Sequence, residues 1–284
     1  MVVATLLAMT ALPDHVPRFW RALDERFGSV EPAWWGAVVT DARFPLIWDA
    51  NYARVDVVAP DLRLADIEGH LLPALREANA PVKHVVMFYP DEATSLLSEL
   101  SGRGDRLGWD LVMDLDGEPP LSVDVAVVPL EGRDDLWDVV AASLVLFGAA
   151  PGEALEQFRT LERDVLAPAG KRWFGVMDRD GRVQSLGALL VLGDVGYVDN
   201  IATFPPFRGR GLASAVTAAI ARAARGAGAN HVFLLADPEA STIVSMYERL
   251  GFGSAGSLAS ARGPRRSPRV HPCGRRPGTR PLPP

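Results

Sequence analysis

The chain has 284 residues, a formal net charge of −6 and 48% hydrophobic residues, which is enough apolar material for a sizeable buried core. Its one cysteine excludes a disulfide scaffold and a Cys/His zinc site, and the five histidines never occur at metal-ligand spacing, so no metal is expected. No apolar run reaches the ~20 residues of a membrane span, so we expect a cytoplasmic protein without a membrane partner.

The first part of the chain alternates strand and helix patterns and predicts a small α/β unit over residues 1–118. Asp61 is the predicted N-cap of its first helix, and Pro73 is expected to kink or split that helix. The stretch "DGEPPLS" (116–122), with two prolines, is predicted to be a linker. Strands are predicted at 33–41, 50–58, 83–89 and 108–117, and helices at 61–80 and 91–104.

The second part repeats this mixture at greater length. A strand is predicted at 123–130, helices at 132–147 and 152–166, and three consecutive strands at 172–203, joined by the turn sequences "DRDG" and "GDVG". A helix (211–226), a strand ("HVFLLAD") and a last helix ending at "LGF" follow. Antiparallel strands followed by strand–helix alternation predict an α/β fold with one mixed sheet and helices on its faces.

The stretch "FPPFRGRGLASAV" (204–216) places glycines and arginines at the start of a helix. Gly209 and Gly211 remove the Cβ atoms that would keep a ligand from the unpaired backbone amides of the first turn. Arg208 and Arg210 add positive charge to the helix dipole. This combination predicts an anion site, most naturally for a phosphate or pyrophosphate. A surface loop with ordinary solubilising arginines remains the alternative.

The segment "RGRGLA" (208–213) resembles the R/Q-x-x-G-x-G/A motif of the GNAT N-acetyltransferase superfamily. The preceding strand "GYVDNIAT" and the later "MYERLGF" (246–252) lie where that family places its elements, and the resemblance spans roughly 123–252. It implies a GNAT acyltransferase fold for 123–260, with the first part as a degenerate, smaller half of the same fold that lacks the loop. It also implies acetyl-coenzyme A as the cofactor.

The resemblance further implies a set of site residues. The pyrophosphate would lie on the loop, the pantetheine along the strand before it, and the acceptor would be a small-molecule or peptide amine. Tyr247 would protonate the leaving thiolate, and Asp199 is the candidate base, with water as the alternative. Tyr247 as a core residue, and Asp199 as a carboxylate paired with an arginine or solvated at a strand edge, also remain open. The cofactor-binding residues implied are Ile201, Ala202, Thr203, Arg208, Gly209, Arg210, Gly211, Leu212, Ala213 and Ser214.

Two departures from the family pattern affect this interpretation. Ala240 stands where the family often has an asparagine that contacts the pantetheine. The family fold also has two strands after the last helix, whereas the residues after Phe252 show almost no strand pattern. Residues 261–284 are therefore predicted to be a disordered Arg/Pro-rich tail, either a basic arm or the product of a shifted reading frame.

Two other functions were compared with acetyl transfer. A protein that binds or senses acyl-coenzyme A without transferring the acyl group has the same loop, and turnover with amines separates the two. A nucleic-acid binder would use the basic end, since residues 262–284 hold seven arginines and no acid. The rest of the chain is then more acidic than the net charge of −6, which argues against nucleic acid as the main partner.

Overall fold

The structure is a computed structural model, and it describes residues 12–119, 125–149 and 151–263. Within these residues the strands form one eleven-stranded sheet in the order β1-β2-β3-β4-β11-β5-β10-β9-β8-β7-β6. This is a mixed α/β sheet, as the sequence predicts. The strands are β1 (Ser29–Ala33), β2 (Gly36–Thr40), β3 (Tyr52–Val55), β4 (His84–Met87), β5 (Arg106–Leu115), β6 (Val128–Pro129), β7 (Arg172–Met177), β8 (Val183–Leu192), β9 (Val195–Thr203), β10 (His231–Ala236) and β11 (Phe252–Arg262).

Helices lie between these strands, and several end near the residues that the sequence predicts. The fifth α-helix continues directly into a π-helical turn at Glu162–Leu166, and short 3-10 turns occur at Trp48–Ala50, Pro90–Glu92 and Pro205–Phe207. The α-helices are α1 (His15–Asp24), α2 (Leu64–Glu77), α3 (Thr94–Gly102), α4 (Leu136–Leu146), α5 (Glu153–Leu161), α6 (Leu212–Gly226) and α7 (Ser241–Arg249).

The prediction that no strand follows the last helix is wrong. β11 begins directly after α7 and pairs antiparallel with β5 on one side and with β4 on the other. Its sequence, "FGSAGSLASAR", is rich in small residues, so its local β-propensity is low. Two flanking strands supply ladder hydrogen bonds on both edges, and Leu258 and Ala259 are buried. Tertiary pairing thus overrides the weak local pattern.

The two parts of the chain share their strands at the centre of the sheet. β5, the last described strand of the first part, lies between β10 and β11 and is antiparallel to both. β11, the last strand of the second part, lies between β5 and β4. The two parts therefore exchange one strand each at the centre of the sheet. β11 of the second part lies between β4 and β5 of the first part, and β5 of the first part lies between β11 and β10 of the second part.

Three local predictions need correction. Helix α2 begins at Leu64 with Arg63 as N-cap, whose backbone N–H donates to the carboxylate of Asp66 at 3.0 Å, so Asp61 is not the cap. The same helix runs through Pro73 without a break. The predicted tail begins too early, because residues 261 and 262 belong to β11. Residues 264–284 of that tail, residues 120–122 of the predicted linker and residues 123–124 of the predicted strand lie outside the described residues.

Helix α6 covers the sheet beside the glycine–arginine loop. Its buried face is mainly alanine, which allows a close approach to β8 and β9. Gly187 lies on β8 beneath this contact, and a Cβ there would meet the end of the Ile201 side chain and Ile220 Cδ1. The side chain of Ile201 is therefore fixed in the core while its backbone continues along β9.

Candidate functional site

The loop before α6 has the open backbone that the sequence predicts for an anion site. Gly209 and Gly211 have φ values of 75° and 74°, in the left-handed region that side chains disfavour. A Cβ added at either glycine would meet no atom within 4 Å, so the space above them is open. Gly211 is the N-cap of α6 and provides no side-chain cap. Among the described residues, no hydrogen bond is made by the amides of residues 209–214.

The two arginines of the loop are exposed and tied to the backbone around it. Arg208 Nε donates to the carbonyl of Thr203 at 3.1 Å, and an Nη of Arg210 donates to the carbonyl of Pro206 at 3.3 Å. Neither forms an ion pair with a carboxylate in the described parts of the chain. Their positive charges thus add to the dipole of α6 at a helix start whose amides are free.

Strand β9 diverges from its parallel neighbour next to this loop. Its pairing with β10 ends at Val198, opposite Leu234, although β9 continues to Thr203. The divergence coincides with a bulge against β8, where Asn200 adopts the left-handed region at φ 53°. Asparagine tolerates this conformation better than most residues do. The sheet therefore opens between β9 and β10 from Asp199 onwards.

The ladder decides which backbone groups face this opening. The amide of Phe204 donates to Gln184 on β8, and the alternation of an antiparallel ladder then directs the amide of Ala202 to β8 as well. The amides of Ile201 and Thr203 point to the opposite, open side. An extended ligand placed in the opening would pair with these two residues as an added strand does. The open edge of β9 thus offers the amides of Ile201 and Thr203 as hydrogen-bond donors.

Tyr247 lies on α7, packed edge-on against Phe252 with ring centroids 6.1 Å apart. Its side chain is buried, and the hydroxyl makes no hydrogen bond among the described residues. Burial, together with the negative charge of Asp199, raises the pKa of Tyr247 to about 12. The phenol therefore keeps its proton at neutral pH. Ala240, at the N-cap of the same helix, supplies no side-chain hydrogen bond.

Asp199 belongs to a buried charged cluster that sequence reasoning missed. Lys171 Nζ lies 2.8 Å from Asp199 Oδ2 and 2.8 Å from Glu162 Oε1. The other oxygen of Asp199 accepts a hydrogen bond from the amide of Asn200 at 2.8 Å, so it also supports the bulge. Burial raises the pKa of Glu162. Burial lowers the pKa of Lys171, but the charges and hydrogen bonds of Asp199 and Glu162 together outweigh this effect and raise it. No sequence spacing links these three residues, because they meet only through the fold.

Asp199 is therefore an ion-paired carboxylate. Its partner is Lys171, where the sequence-based alternative expected an arginine. Its side chain is 25% exposed, against 3% for Lys171 and 6% for Glu162. Asp199 is thus the member of the cluster that a ligand in the opening can reach.

A cavity of about 350 Å³ lies next to this cluster, between the two parts of the chain. Its walls are mainly aromatic and aliphatic, with four carboxylates, one lysine, one arginine and one histidine. Its lining includes Trp20, Trp48, Asp49, His84, Asp110, Glu162, Lys171, Tyr197, Asp199, Leu235 and Arg262. The first part supplies Trp48, Asp49 and Asp110, none of which the sequence pattern marks as functional. Arg262, which was predicted to lie in a disordered tail, ends β11 at the cavity wall.

The described residues contain neither a metal-binding cluster nor a membrane-spanning helix. No group of three or more His, Cys, Asp or Glu side chains there is arranged to hold a metal ion. No helix in the same residues has the length and apolar character needed to cross a membrane.

A mycothiol acetyltransferase from Actinosynnema mirum is 28% identical over 221 residues, which cover 72% of this chain and 72% of that protein. A GCN5-related N-acetyltransferase from Kribbella flavida is 17% identical with a TM-score of 0.57, covering 87% of this chain and 95% of that one.

A second solved structure, a conserved protein of unknown function from Staphylococcus epidermidis, is 13% identical with a TM-score of 0.62 and covers 80% of this chain and 89% of that one. At these identities the two solved structures establish the fold. The model of the acetyltransferase (GNAT) family matches residues 138–252, which contain β7 to β10, the loop and α7. Residues 138–252 therefore form an acetyltransferase domain of the GNAT family.

Proposed function

We propose that the protein is an acetyl-coenzyme A-dependent N-acetyltransferase that transfers an acetyl group to the amine of a small molecule or peptide. The observation that carries this proposal is the continuity of three features. The open amides of residues 209–214 lead to the free edge of β9, and that edge leads to the cavity beside Asp199. Membership of residues 138–252 in an acetyltransferase family supports the same reaction class.

The residues of the loop and of β9 fit the proposed cofactor. Gly209 and Gly211 leave a space that a Cβ would partly fill, and the free amides of the loop match phosphate oxygens. Arg208 and Arg210 would supply the charge, and the backbone of Ile201 and Thr203 would pair with the amide groups of the pantetheine. Leu212, Ala213 and Ser214 would contribute the amides of the first helical turn. When bound, acetyl-coenzyme A supplies an activated acetyl thioester.

The chain's own groups would then manage charge and protons. The amine nitrogen attacks the thioester carbonyl carbon, a C–N bond forms and the C–S bond breaks. The amides on the open edge of β9 stabilise the negative charge that develops on the carbonyl oxygen. Tyr247, protonated at neutral pH, gives its proton to the departing sulfur, and the nitrogen loses a proton to Asp199 or to water.

We assign the first part of the chain, residues 1–118, the role of shaping the acceptor site. Trp48, Asp49 and Asp110 line the cavity on the side opposite Asp199, and β5 completes the sheet next to β10. In this proposal the transfer chemistry belongs to residues 123–260. Residues 1–118 have no glycine–arginine loop of their own, and we assign them no cofactor.

The test is turnover. Purified full-length protein is incubated with acetyl-coenzyme A and a panel of primary amines, released thiol is measured, and the acetylated product is identified by mass spectrometry. The proposal expects amine-dependent thiol release and an N-acetylated product. Tight coenzyme A binding without product from any amine would instead identify a non-catalytic coenzyme A-binding or sensing protein.

A further inference from the structure

The cavity next to Asp199 has a second charged end, at the wall supplied by the first part of the chain. Asp49 and Asp110 line this end, and neither forms a hydrogen bond or an ion pair through its side chain within the described residues. Burial and the nearby charge of Asp49 raise the pKa of Asp110. A carboxylate pair of this kind is stabilised by a cation placed between its members.

The other polar groups at this end do not neutralise the negative charge of the two carboxylates. The guanidinium of Arg262 stacks on Trp48, 4.4 Å from the ring centroid, and has no carboxylate within 4.0 Å among the described residues. Burial lowers the pKa of His84, so its imidazole is neutral at pH 7. Two acidic groups against one arginine leave a formal charge of −1 at this end.

The end nearest β9 has the same balance. Glu162 and Asp199 carry two negative charges, and Lys171 carries one positive charge. Glu162 is 94% buried, yet its Oε2 has no hydrogen-bond partner in the part of the chain that the structure describes. An unpaired, buried acceptor atom is costly, and an N–H donor from a ligand would relieve that cost. This end therefore also favours a cation.

The sheet places an apolar residue between the two ends. Leu235 of β10 pairs with Val112 of β5, so it shares a face with Asp110, two residues earlier on β5. Leu235 also follows Leu234, the partner of Val198, so it lies beside Asp199 on β9. Two strand spacings separate β5 from β9, about 10 Å. All three side chains line the cavity.

We propose that the acceptor is a dication: a primary amine joined through an apolar spacer to a second, positively charged nitrogen. The reacting amine lies near Asp199, the spacer crosses Leu235 between aromatic walls that include Trp20 and Tyr197, and the second cation lies between Asp49 and Asp110. This inference rests on the proposed function for the reaction itself. The recognition of a dication depends on the cavity alone.

The experiment compares three acceptors of equal chain length with the full-length protein and acetyl-coenzyme A. Cadaverine has an amine at both ends, pentylamine lacks the second cation, and the corresponding ω-amino acid has a carboxylate in its place. We expect kcat/KM for cadaverine to exceed that for pentylamine by about 10- to 100-fold, the range of one charge-assisted hydrogen bond. Asp110→Asn should reduce this ratio towards one. Asp61→Asn, an exposed acid outside the cavity, should keep it.

Binding is measured separately by quenching of tryptophan fluorescence, because Trp20 and Trp48 line the cavity. Cadaverine binding that weakens in Asp110→Asn, without acetylation of any amine, would retain the dication site and refute the proposed function. Equal rates for cadaverine and pentylamine would refute the dication site and retain the proposed function. A preference for the ω-amino acid would also refute the dication site, because Arg262 would then select an anion. Absence of both binding and turnover would refute both.

Discussion

The clearest prediction concerns Gly211, because the structure separates its conformational role from its role in ligand access. Gly211 has φ 74°, and an added Cβ would meet no atom within 4 Å. Gly211→Ala and Gly211→Glu should therefore carry the same left-handed penalty, roughly 1–2 kcal/mol of unfolding free energy, with no added clash. Only the glutamate variant places a negative charge at the free amides of the loop.

The magnitude of the charge effect follows from Coulomb's law. A carboxylate about 5 Å from one phosphate charge, at an effective dielectric constant of about 20, costs roughly 3 kcal/mol, which weakens binding by more than about 100-fold. The alanine variant, which introduces only a methyl group, should lose much less affinity. The difference between the two variants thus isolates the phosphate site.

The assay is isothermal titration with coenzyme A, together with urea unfolding of each ligand-free variant. We expect the two variants to unfold within about 0.5 kcal/mol of each other and to differ strongly in affinity. If the glutamate variant binds coenzyme A within threefold of the alanine variant, the loop does not hold the phosphates. If only the glutamate variant has a lower free energy of unfolding, the space above Gly211 is not open.

Three further predictions concern the chemistry and the sheet. Tyr247→Phe should lower kcat more than it changes KM for the cofactor, and equal kcat values would show that Tyr247 is only a packing residue. Because the pKa of Tyr247 is raised to about 12, the wild-type rate should not fall through loss of this proton between pH 7 and 10. Gly187→Ala should lower the free energy of unfolding in urea by about 1–3 kcal/mol. Adding Ile201→Val, which removes the contacted methyl group, should restore part of this loss, and a double variant in which the two effects simply add would refute the contact. Leu258→Ala should cost about 2–5 kcal/mol and Ser254→Ala little. Calorimetry should show one transition, because β11 belongs to the second part and pairs with β4 and β5 of the first part; two separate transitions would contradict this.

The sequence predicted the features that are encoded locally. The open loop with Gly209 and Gly211 before α6 was predictable because left-handed glycines and a helix start are properties of a short segment. The strands of 172–203 were predictable because their alternation and turn sequences are also local. Residues 138–252, where the local motifs are concentrated, are likewise the residues that the family model matches.

The sequence could not predict what depends on long-range pairing. β11 has too few β-branched or aromatic residues to be recognised alone, and it is a strand because β4 and β5 both present an edge to it. The ion pairs of Lys171 join residues from a π-helical turn and from β9, with no common motif. In the sequence Asp110 is one acidic residue on a strand. Its place at the cavity follows from the fold, because β10 ends next to it at Ala236, opposite Leu111.

The placement of β11 links stability to the acceptor site. Two strands, β5 and β11, join the two parts of the sheet. Three residues of β11, Leu258, Ser260 and Arg262, also line the cavity. Arg262 pairs in register with His84 on β4 and Arg106 on β5, so the position of its guanidinium against Trp48 is set by both ladders. A change in how the two parts meet must therefore move charged groups at the end of the cavity opposite Asp199. The first part of the chain shapes the acceptor site through this shared strand as well as through its own side chains.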